Sequence, residues 1–161
     1  MSEIIKVGMA DVNVCKSPDG ITTLGLGSCV GIAIRDPILK VGGLAHVMLP
    51  DSKLIENNSN RYKFADTGIE DLVKMIVAMG GNRARLEAKI AGGAQMFAFQ
   101  NKSDMVRIGE RNVEASIKKL KELGIPLRAQ DTGNDYGRTV VFFPETGEFH
   151  IRSANRPEKT I

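Results

Sequence analysis

Two residues in the first third of the chain are of the types needed for nucleophilic catalysis. Cys29 follows the glycine-containing segment Gly25-Leu26-Gly27-Ser28, and His46 lies in an apolar stretch from Gly43 to Pro50. A thiol and an imidazole are the parts of a cysteine nucleophile and its general base. The chain contains only two Cys and two His, so few other pairings compete with this one.

The segment between Cys29 and His46 predicts a β-hairpin. Val30–Ile34 and Val41–Met48 are apolar enough for buried strands, and Asp36-Pro37 between them is typical of a type I turn. A hairpin centred between Pro37 and Ile38 would place Cys29 directly opposite His46. Facing residues have Cβ atoms about 4.5–5.5 Å apart, which allows a thiolate–imidazolium contact. A slip of one residue would put the two side chains on opposite faces.

The turn formed by Gly27, Ser28 and Cys29 is the predicted oxyanion and substrate loop. Glycine lets a substrate approach the backbone closely, and the N–H of Cys29 is the foremost donor to a developing oxyanion. A free thiol has a pKa of about 8.5, and an ion pair with protonated His46 would raise its ionised fraction. The competing interpretation is that Cys29 is simply a small buried apolar residue.

A catalytic base also needs a partner for its second ring nitrogen. Thr23 is a candidate because it lies six residues before Cys29 on a neighbouring extended segment, whereas Thr22 would point to the other face. From spacing alone, Thr22, Ser28 and Asp51 remain open alternatives.

The other Cys and His residues suggest no second site. Cys15 has neither a glycine turn nor a nearby His and is expected to be structural, and His150 alternates with apolar neighbours and is expected to face solvent. Two Cys and two His form no metal-ligand cluster at a standard spacing. The glycines before Cys29 match neither a dinucleotide nor a phosphate loop. We therefore expect no metal and no cofactor.

Bulk composition indicates one ordinary globular domain. The chain has 161 residues, 42% hydrophobic and 25% charged, with a net charge of +3. Basic residues are scattered among acidic ones, so nucleic acid is not an expected partner. There is no signal-peptide pattern and no apolar run long enough for membrane insertion, so a cytoplasmic location is expected. The prediction is a single domain over residues 1–161, with a polar tail from residue 153.

The elements that must position the site are mostly strands. Thr67 to Glu70 fits a capping box for a helix that continues to Met79, and Arg111 to Leu123 predicts a second helix. Alternation of apolar residues predicts the strands. They cover residues 4–7, 9–14, 21–26, 30–34, 41–48, 86–90, 127–131, 139–143 and 148–152. Two main helices with mixed sheets favour a layered α/β fold with α+β character.

Three further segments could lie near the site, and two of them have more than one interpretation. Gly92-Gly93 is either a plain turn or a place where backbone approaches the active site. Phe97 and Phe99 are expected in the core, and would form a partner or substrate patch if exposed. The stretch from Asp131 to Asn134, with Arg138, is most simply a polar turn.

Four blocks of the sequence resemble the CheD chemoreceptor glutamine deamidases of bacterial and archaeal chemotaxis. They are residues 23–29 (TLGLGSC), 45–51 (AHVMLPD), 88–97 (AKIAGGAQMF) and 108–113 (IGERNV). The resemblance spans about Ile5 to Arg152. One departure is Asn134, where the family pattern has a second glycine.

The resemblance implies a three-layer α/β fold similar to bacterial toxin deamidases. It also implies a Cys-His-Thr triad, which maps onto Cys29, His46 and Thr23. The implied substrates are glutamines on the cytoplasmic helices of methyl-accepting chemoreceptors, and the implied partner is the CheC phosphatase. No cofactor is implied. Two alternatives from other classes are a non-catalytic binding module for CheC and receptors, in which Phe97 or Phe99 would matter more than Cys29, and a redox-sensing thiol.

Overall fold

The computed structural model describes residues 2–56, 59–95 and 107–161. Ten strands and two α-helices follow one another in these ranges. The strands are β1 (Ile4–Val7), β2 (Asp11–Lys16), β3 (Gly20–Leu26), β4 (Val30–Asp36), β5 (Val41–Val47), β6 (Glu87–Gly92), β7 (Leu127–Thr132), β8 (Arg138–Phe143), β9 (Glu148–Arg152) and β10 (Lys159–Thr160). The helices are α1 (Ala65–Ala78) and α2 (Ile108–Glu122), and short 3-10 helices cover Ser52–Leu54, Arg61–Lys63 and Arg83–Arg85.

The strands form two five-stranded sheets. The first sheet has the order β1-β3-β8-β9-β10, and the second has the order β2-β5-β4-β6-β7. Each sheet contains one parallel pair, β1 with β3 and β6 with β7, among antiparallel neighbours. The predicted mixed sheets are therefore confirmed.

Alternation along the central strands builds three layers. Val30, Ile32 and Ile34 of β4 pack with α1 and α2 in one core, whereas Ala33 of β4 and Leu44 of β5 pack in a second core between the sheets. Successive side chains of a strand point to opposite faces, so the second sheet is covered by helices on one side and by the first sheet on the other. This confirms the expected layered α/β class with two main helices.

The hairpin between β4 and β5 has a different register from the one predicted. Val30 pairs with Val47 and Gly31 with His46, so Cys29 is not opposite His46. The prediction assumed a tight turn at Pro37-Ile38. The loop instead extends from residue 37 to residue 40, with Lys40 at φ 57° and its N–H bonded to the carbonyl of Asp36. The longer loop shifts the pairing by two residues, which keeps every side chain on its predicted face.

The helix α1 is confirmed, but the predicted capping box is wrong. The helix begins at Ala65 after Phe64, and the hydroxyl of Thr67 donates to the carbonyl of Arg61 instead of capping the helix. Phe64 is fully buried and bridges to Leu49. Tertiary burial of this aromatic ring therefore places the N-cap at Phe64, three residues before the predicted cap at Thr67.

The polar tail after residue 152 contains a strand that polarity alone did not predict. Lys159 and Thr160 pair with Ile151 and His150 of β9, and Ile161 exchanges two backbone hydrogen bonds with Phe149. Among the helices in the described ranges, none is long and apolar enough to cross a membrane.

Candidate active site

Thr23 and His46 meet between the two sheets. Thr23 lies on β3 of the first sheet and His46 on β5 of the second, and each is 1% exposed. Oγ1 of Thr23 is 2.7 Å from Nδ1 of His46 and 2.8 Å from the carbonyl oxygen of Val7. A carbonyl can only accept, so the hydroxyl proton goes to Val7 and the threonine oxygen accepts from Nδ1–H of His46.

This contact fixes the tautomer of His46. With the proton on Nδ1, the neutral ring carries a free lone pair on Nε2. Nε2 is buried and has no hydrogen-bond partner among the described residues. Burial also lowers the pKa of His46, which favours the neutral ring. The structure therefore presents a buried imidazole that is ready to take a proton.

Cys29 lies on a bend directly before β4 and is half-buried, with its side chain packed against the core between the sheets. Burial raises the pKa of its thiol, and the N–H of the same residue acts in the opposite direction. The thiolate–imidazolium contact expected from the sequence is not formed, because Nε2 has no partner. Both shifts favour the uncharged forms, a thiol at Cys29 and a neutral imidazole at His46.

The observed register places His46 diagonally from Cys29. Gly31 is the direct partner of His46, and Cys29 precedes Gly31 by two residues. Diagonal neighbours across an antiparallel pair are about 7–8 Å apart, still within reach of a ring side chain. The two-residue shift therefore replaces direct opposition with a diagonal approach on the same face.

Residues 27–29 carry the predicted nucleophile and are called the nucleophile loop below; the carbonyls of all three accept hydrogen bonds that hold the loop. The N–H of Ala94 donates to Gly27 at 2.8 Å, and the N–H of Gly93 donates to Cys29 at 2.8 Å. The side-chain amide of Asn112 on α2 donates to Ser28 at 2.9 Å. The backbone N–H groups of Ser28 and Cys29 donate to no other residue that the structure describes. Unpaired N–H groups beside a nucleophile are the donors that an oxyanion requires.

Gly92 and Gly93 support the nucleophile loop from β6. Gly92 has φ +111°, and a Cβ there would lie 2.3 Å from the carbonyl oxygen of Cys29. Gly93 has φ +67° and donates to that same carbonyl. Of the two interpretations left open by the sequence, the structure shows the close backbone approach. Phe97 and Phe99 lie outside the described residues.

Asn112 and Arg138 are two buried residues near the loop whose positions the sequence did not reveal. Asn112 is fully buried, as is Ser116 one turn later, whose hydroxyl donates to the backbone carbonyl of Asn112 at 2.7 Å. Asn112 and Ser116 are four residues apart, and the buried Leu120 follows at the same spacing. In the sequence, the signal for their burial was this polar pair beside the apolar stripe of the helix. Arg138 is 1% exposed, pairs with Asp131 at 3.1 Å and donates to the carbonyl of Gly133 at 3.0 Å.

The segment expected to be a simple polar turn is therefore anchored by the buried side chain of Arg138. Asn134 adopts φ 61° and its carbonyl accepts from the N–H of Gln95. Asparagine tolerates this left-handed conformation better than most residues. The departure from the family pattern thus keeps the backbone shape that a glycine would supply.

The remaining Cys and His residues have local partners. Cys15 is buried and lies 3.7 Å from the carbonyl of Asp19, and burial raises its thiol pKa to about 12. Such a thiol is a poor nucleophile at neutral pH. His150 is partly covered, with Nδ1 3.0 Å from the hydroxyl of Thr160 on β10.

A family model and several similar known proteins indicate the same family for this chain. The family model described as "CheD chemotactic sensory transduction" matches residues 48–153, a segment that begins after His46. A protein of Lachnoclostridium phytofermentans named "Probable chemoreceptor glutamine deamidase CheD" is 62% identical over 100% of both chains. "Chemoreceptor glutamine deamidase CheD" of Halalkalibacterium halodurans is 52% identical over 100% of both chains. These full-length matches include the segment with Thr23, Cys29 and His46.

A third relative and a solved structure are also similar to this chain. A protein of Caldanaerobacter subterraneus with the same name as the Lachnoclostridium protein is 54% identical over 99% of each chain. The crystal structure of Bacillus licheniformis hypothetical protein YfiH aligns with 70% of this chain and 49% of its own, with 17% identity and a TM-score of 0.44.

Proposed function

The chain belongs to the CheD family, and from this membership and the site geometry we propose that it deamidates glutamine side chains of chemoreceptors. Cys29 is the nucleophile, His46 the general base and acid, and Thr23 the residue that orients His46. The observation that carries the proposal is the imidazole of His46, which Thr23 holds at Nδ1 while Nε2 stays buried and unpaired among the described residues, on a strand position diagonal to Cys29.

The first half of the reaction forms a thioester. Nε2 of His46 takes the proton of the Cys29 thiol as sulfur attacks the carboxamide carbon of glutamine. The carbonyl oxygen becomes an oxyanion, and the N–H groups of Ser28 and Cys29 donate to it. His46 then donates this proton to the amide nitrogen, the carbonyl re-forms, and the C–N bond breaks to release ammonia.

The second half hydrolyses the thioester. Nε2 of His46 accepts a proton from water, which attacks the same carbon, and the oxyanion forms again in the same place. When the C–S bond breaks, the proton returns to sulfur, so thiol and neutral imidazole are restored. The carboxylic acid formed then gives its proton to ammonia, so the products are glutamate and ammonium. Glutamine, water and the groups of this chain balance every step, and we expect no cofactor.

Mass spectrometry of a receptor cytoplasmic fragment tests this function. We expect glutamine-to-glutamate conversion with wild-type protein and none with Cys29→Ala or His46→Ala. Cys15→Ser is the matched control and keeps wild-type activity, because that thiol is buried away from His46. Conversion by Cys29→Ala would remove the mechanism, and loss in Cys15→Ser would mean that the other thiol acts.

Binding to the CheC phosphatase and a cytoplasmic location belong to the same proposal. They are supported by family resemblance, and Phe97 and Phe99 stay candidate contacts without a described position. Calorimetric titration of CheC with wild-type, Cys29→Ala and Phe97→Ala proteins separates the two roles. Binding lost only in Phe97→Ala would support a contact there, whereas equal binding by all three would remove it.

A further inference from the structure

Asn112 joins the two chain segments that carry the proposed nucleophile and base. Its Nδ2 is 2.9 Å from the carbonyl oxygen of Ser28, in the nucleophile loop, and 3.0 Å from that of Met48, two residues after His46. The side chain is fully buried on α2, which packs against β4 and β6. One amide group on a helix therefore fixes the entry to β4 relative to the exit from β5.

The bond to Ser28 determines where the N–H of Cys29 points. The carbonyl of Ser28 and the N–H of Cys29 belong to one peptide plane, and in a trans peptide they point in opposite directions. Because Asn112 holds the carbonyl toward α2, the N–H of Cys29 is directed away from the helix. That N–H has no acceptor in another described residue.

The oxygen atom of the Asn112 side chain shows that the residue acts through the hydrogen bonds of Nδ2. Its Oδ1 is buried without a partner among the described residues. A buried unpaired oxygen is unfavourable, so the side chain stabilises this region through the two bonds that Nδ2 donates. An acceptor placed at Nδ2 would instead repel both carbonyls.

We infer that Asn112 is a positioning residue for the oxyanion hole, which aligns the N–H of Cys29 with the substrate oxygen. The inference rests on the proposed deamidation. Losing or misaligning one oxyanion donor costs roughly 10²-fold in turnover in other acyl-transfer enzymes. Alkylation of a thiol by iodoacetamide forms no oxyanion, so it depends on this N–H only through the smaller effect that the N–H has on the thiol pKa.

The test compares Asn112→Ala and Asn112→Asp with wild type in two reactions. We expect kcat for glutamine deamidation to fall about 10²-fold in both variants, with KM changed less than about threefold. We expect iodoacetamide to alkylate Cys29 within about threefold of the wild-type rate. Ser116→Ala is the matched control, because it removes a buried hydrogen bond from the same helix without touching the loop, and its kcat should stay within about threefold.

Distinct outcomes separate this inference from the proposed function. A wild-type protein that does not deamidate glutamine removes the proposed function itself. An active wild type with Asn112 variants that keep kcat within threefold, or whose alkylation falls in parallel with kcat, overturns the positioning role. If neither variant retains the wild-type circular dichroism spectrum and cooperative melting, Asn112 is a folding residue and the inference is likewise overturned.

Discussion

Replacing Thr23 with valine removes one hydroxyl from the centre of the candidate site and keeps the β-branched shape. In the wild-type protein this hydroxyl donates to the carbonyl of Val7 and accepts from Nδ1–H of His46. Thr23→Val leaves both buried groups unpaired, which costs about 1–3 kcal/mol for each. The variant should therefore fold with reduced stability.

The larger effect is expected on turnover. His46 becomes an imidazolium when it takes the proton of Cys29, and Nδ1–H then makes a charge-assisted bond to Thr23. A hydrogen bond to a charged group contributes about 1.5–3 kcal/mol, which corresponds to roughly 10- to 150-fold in rate. Loss of the tautomer preference adds about a factor of two, because both neutral tautomers then leave one N–H unpaired. We expect kcat to fall by roughly 20- to 300-fold in total.

Thr22→Val is the matched control for this prediction. Thr22 is the adjacent residue of β3, and its buried hydroxyl donates to the carbonyl of Val140 at 2.7 Å, away from His46. Glutamine deamidation and thermal unfolding are measured for both variants. Thr22→Val should lose stability and keep kcat within about threefold. Equal kcat losses in both variants, or an unchanged kcat in Thr23→Val, would refute the role of Thr23.

Three other predictions follow from the same geometry. Gly92→Ala should reduce the rate of deamidation at least about tenfold, because its Cβ would lie 2.3 Å from the carbonyl oxygen of Cys29. Gly124→Ala is the control: Gly124 has φ +72° with open space around it, so this variant should lose only stability. Equal deamidation rates in the two variants would contradict this prediction. Because burial lowers the pKa of His46, deamidation should keep its rate as pH falls through 6.5, the ordinary value of a free imidazole. A pH profile with half-maximal activity at or above that value would count against a buried base. Arg85 holds the pKa of the buried Asp36 carboxyl well below its usual range. The ionised form of Asp36 therefore stabilises the fold at pH values above the unfolded-state pKa of about 3.9, and this stabilisation is lost as pH falls below that value. Asp36→Asn should be less stable at pH 7 and show a flatter decline in acid, measured by urea unfolding; an unchanged decline would contradict the assignment.

Period-two alternation was enough to predict most of the sheet structure, and it favoured the face on which Thr23 lies. Thr23 rather than Thr22 was expected to point toward the site, and the structure places its hydroxyl on His46. This inference depended only on the side-chain period, which a two-residue error in register does not change. The exact partner of His46 depended on the length of the loop after Asp36, and local turn patterns did not reveal that Lys40 adopts a left-handed conformation.

Long-range contacts account for what the sequence did not predict. Asn112 is more than sixty residues from Met48 and more than eighty from Ser28, and only the packing of α2 on the second sheet brings them together. The short strand β10 pairs with the edge that β9 offers, and this long-range pairing is not visible in the polarity of the tail. The raised pKa of Cys29 and the lowered pKa of His46 likewise result from burial, which residue spacing does not report.

Trapping the acyl intermediate tests the proposed chemistry at Cys29 most directly. A receptor fragment is incubated with the protein in increasing concentrations of hydroxylamine, which intercepts a thioester in place of water. The mechanism predicts that wild-type protein converts the target glutamine to a glutamyl hydroxamate at the expense of glutamate, and that Cys29→Ala yields neither product. Turnover that gives glutamate alone at every hydroxylamine concentration would contradict a thioester on Cys29.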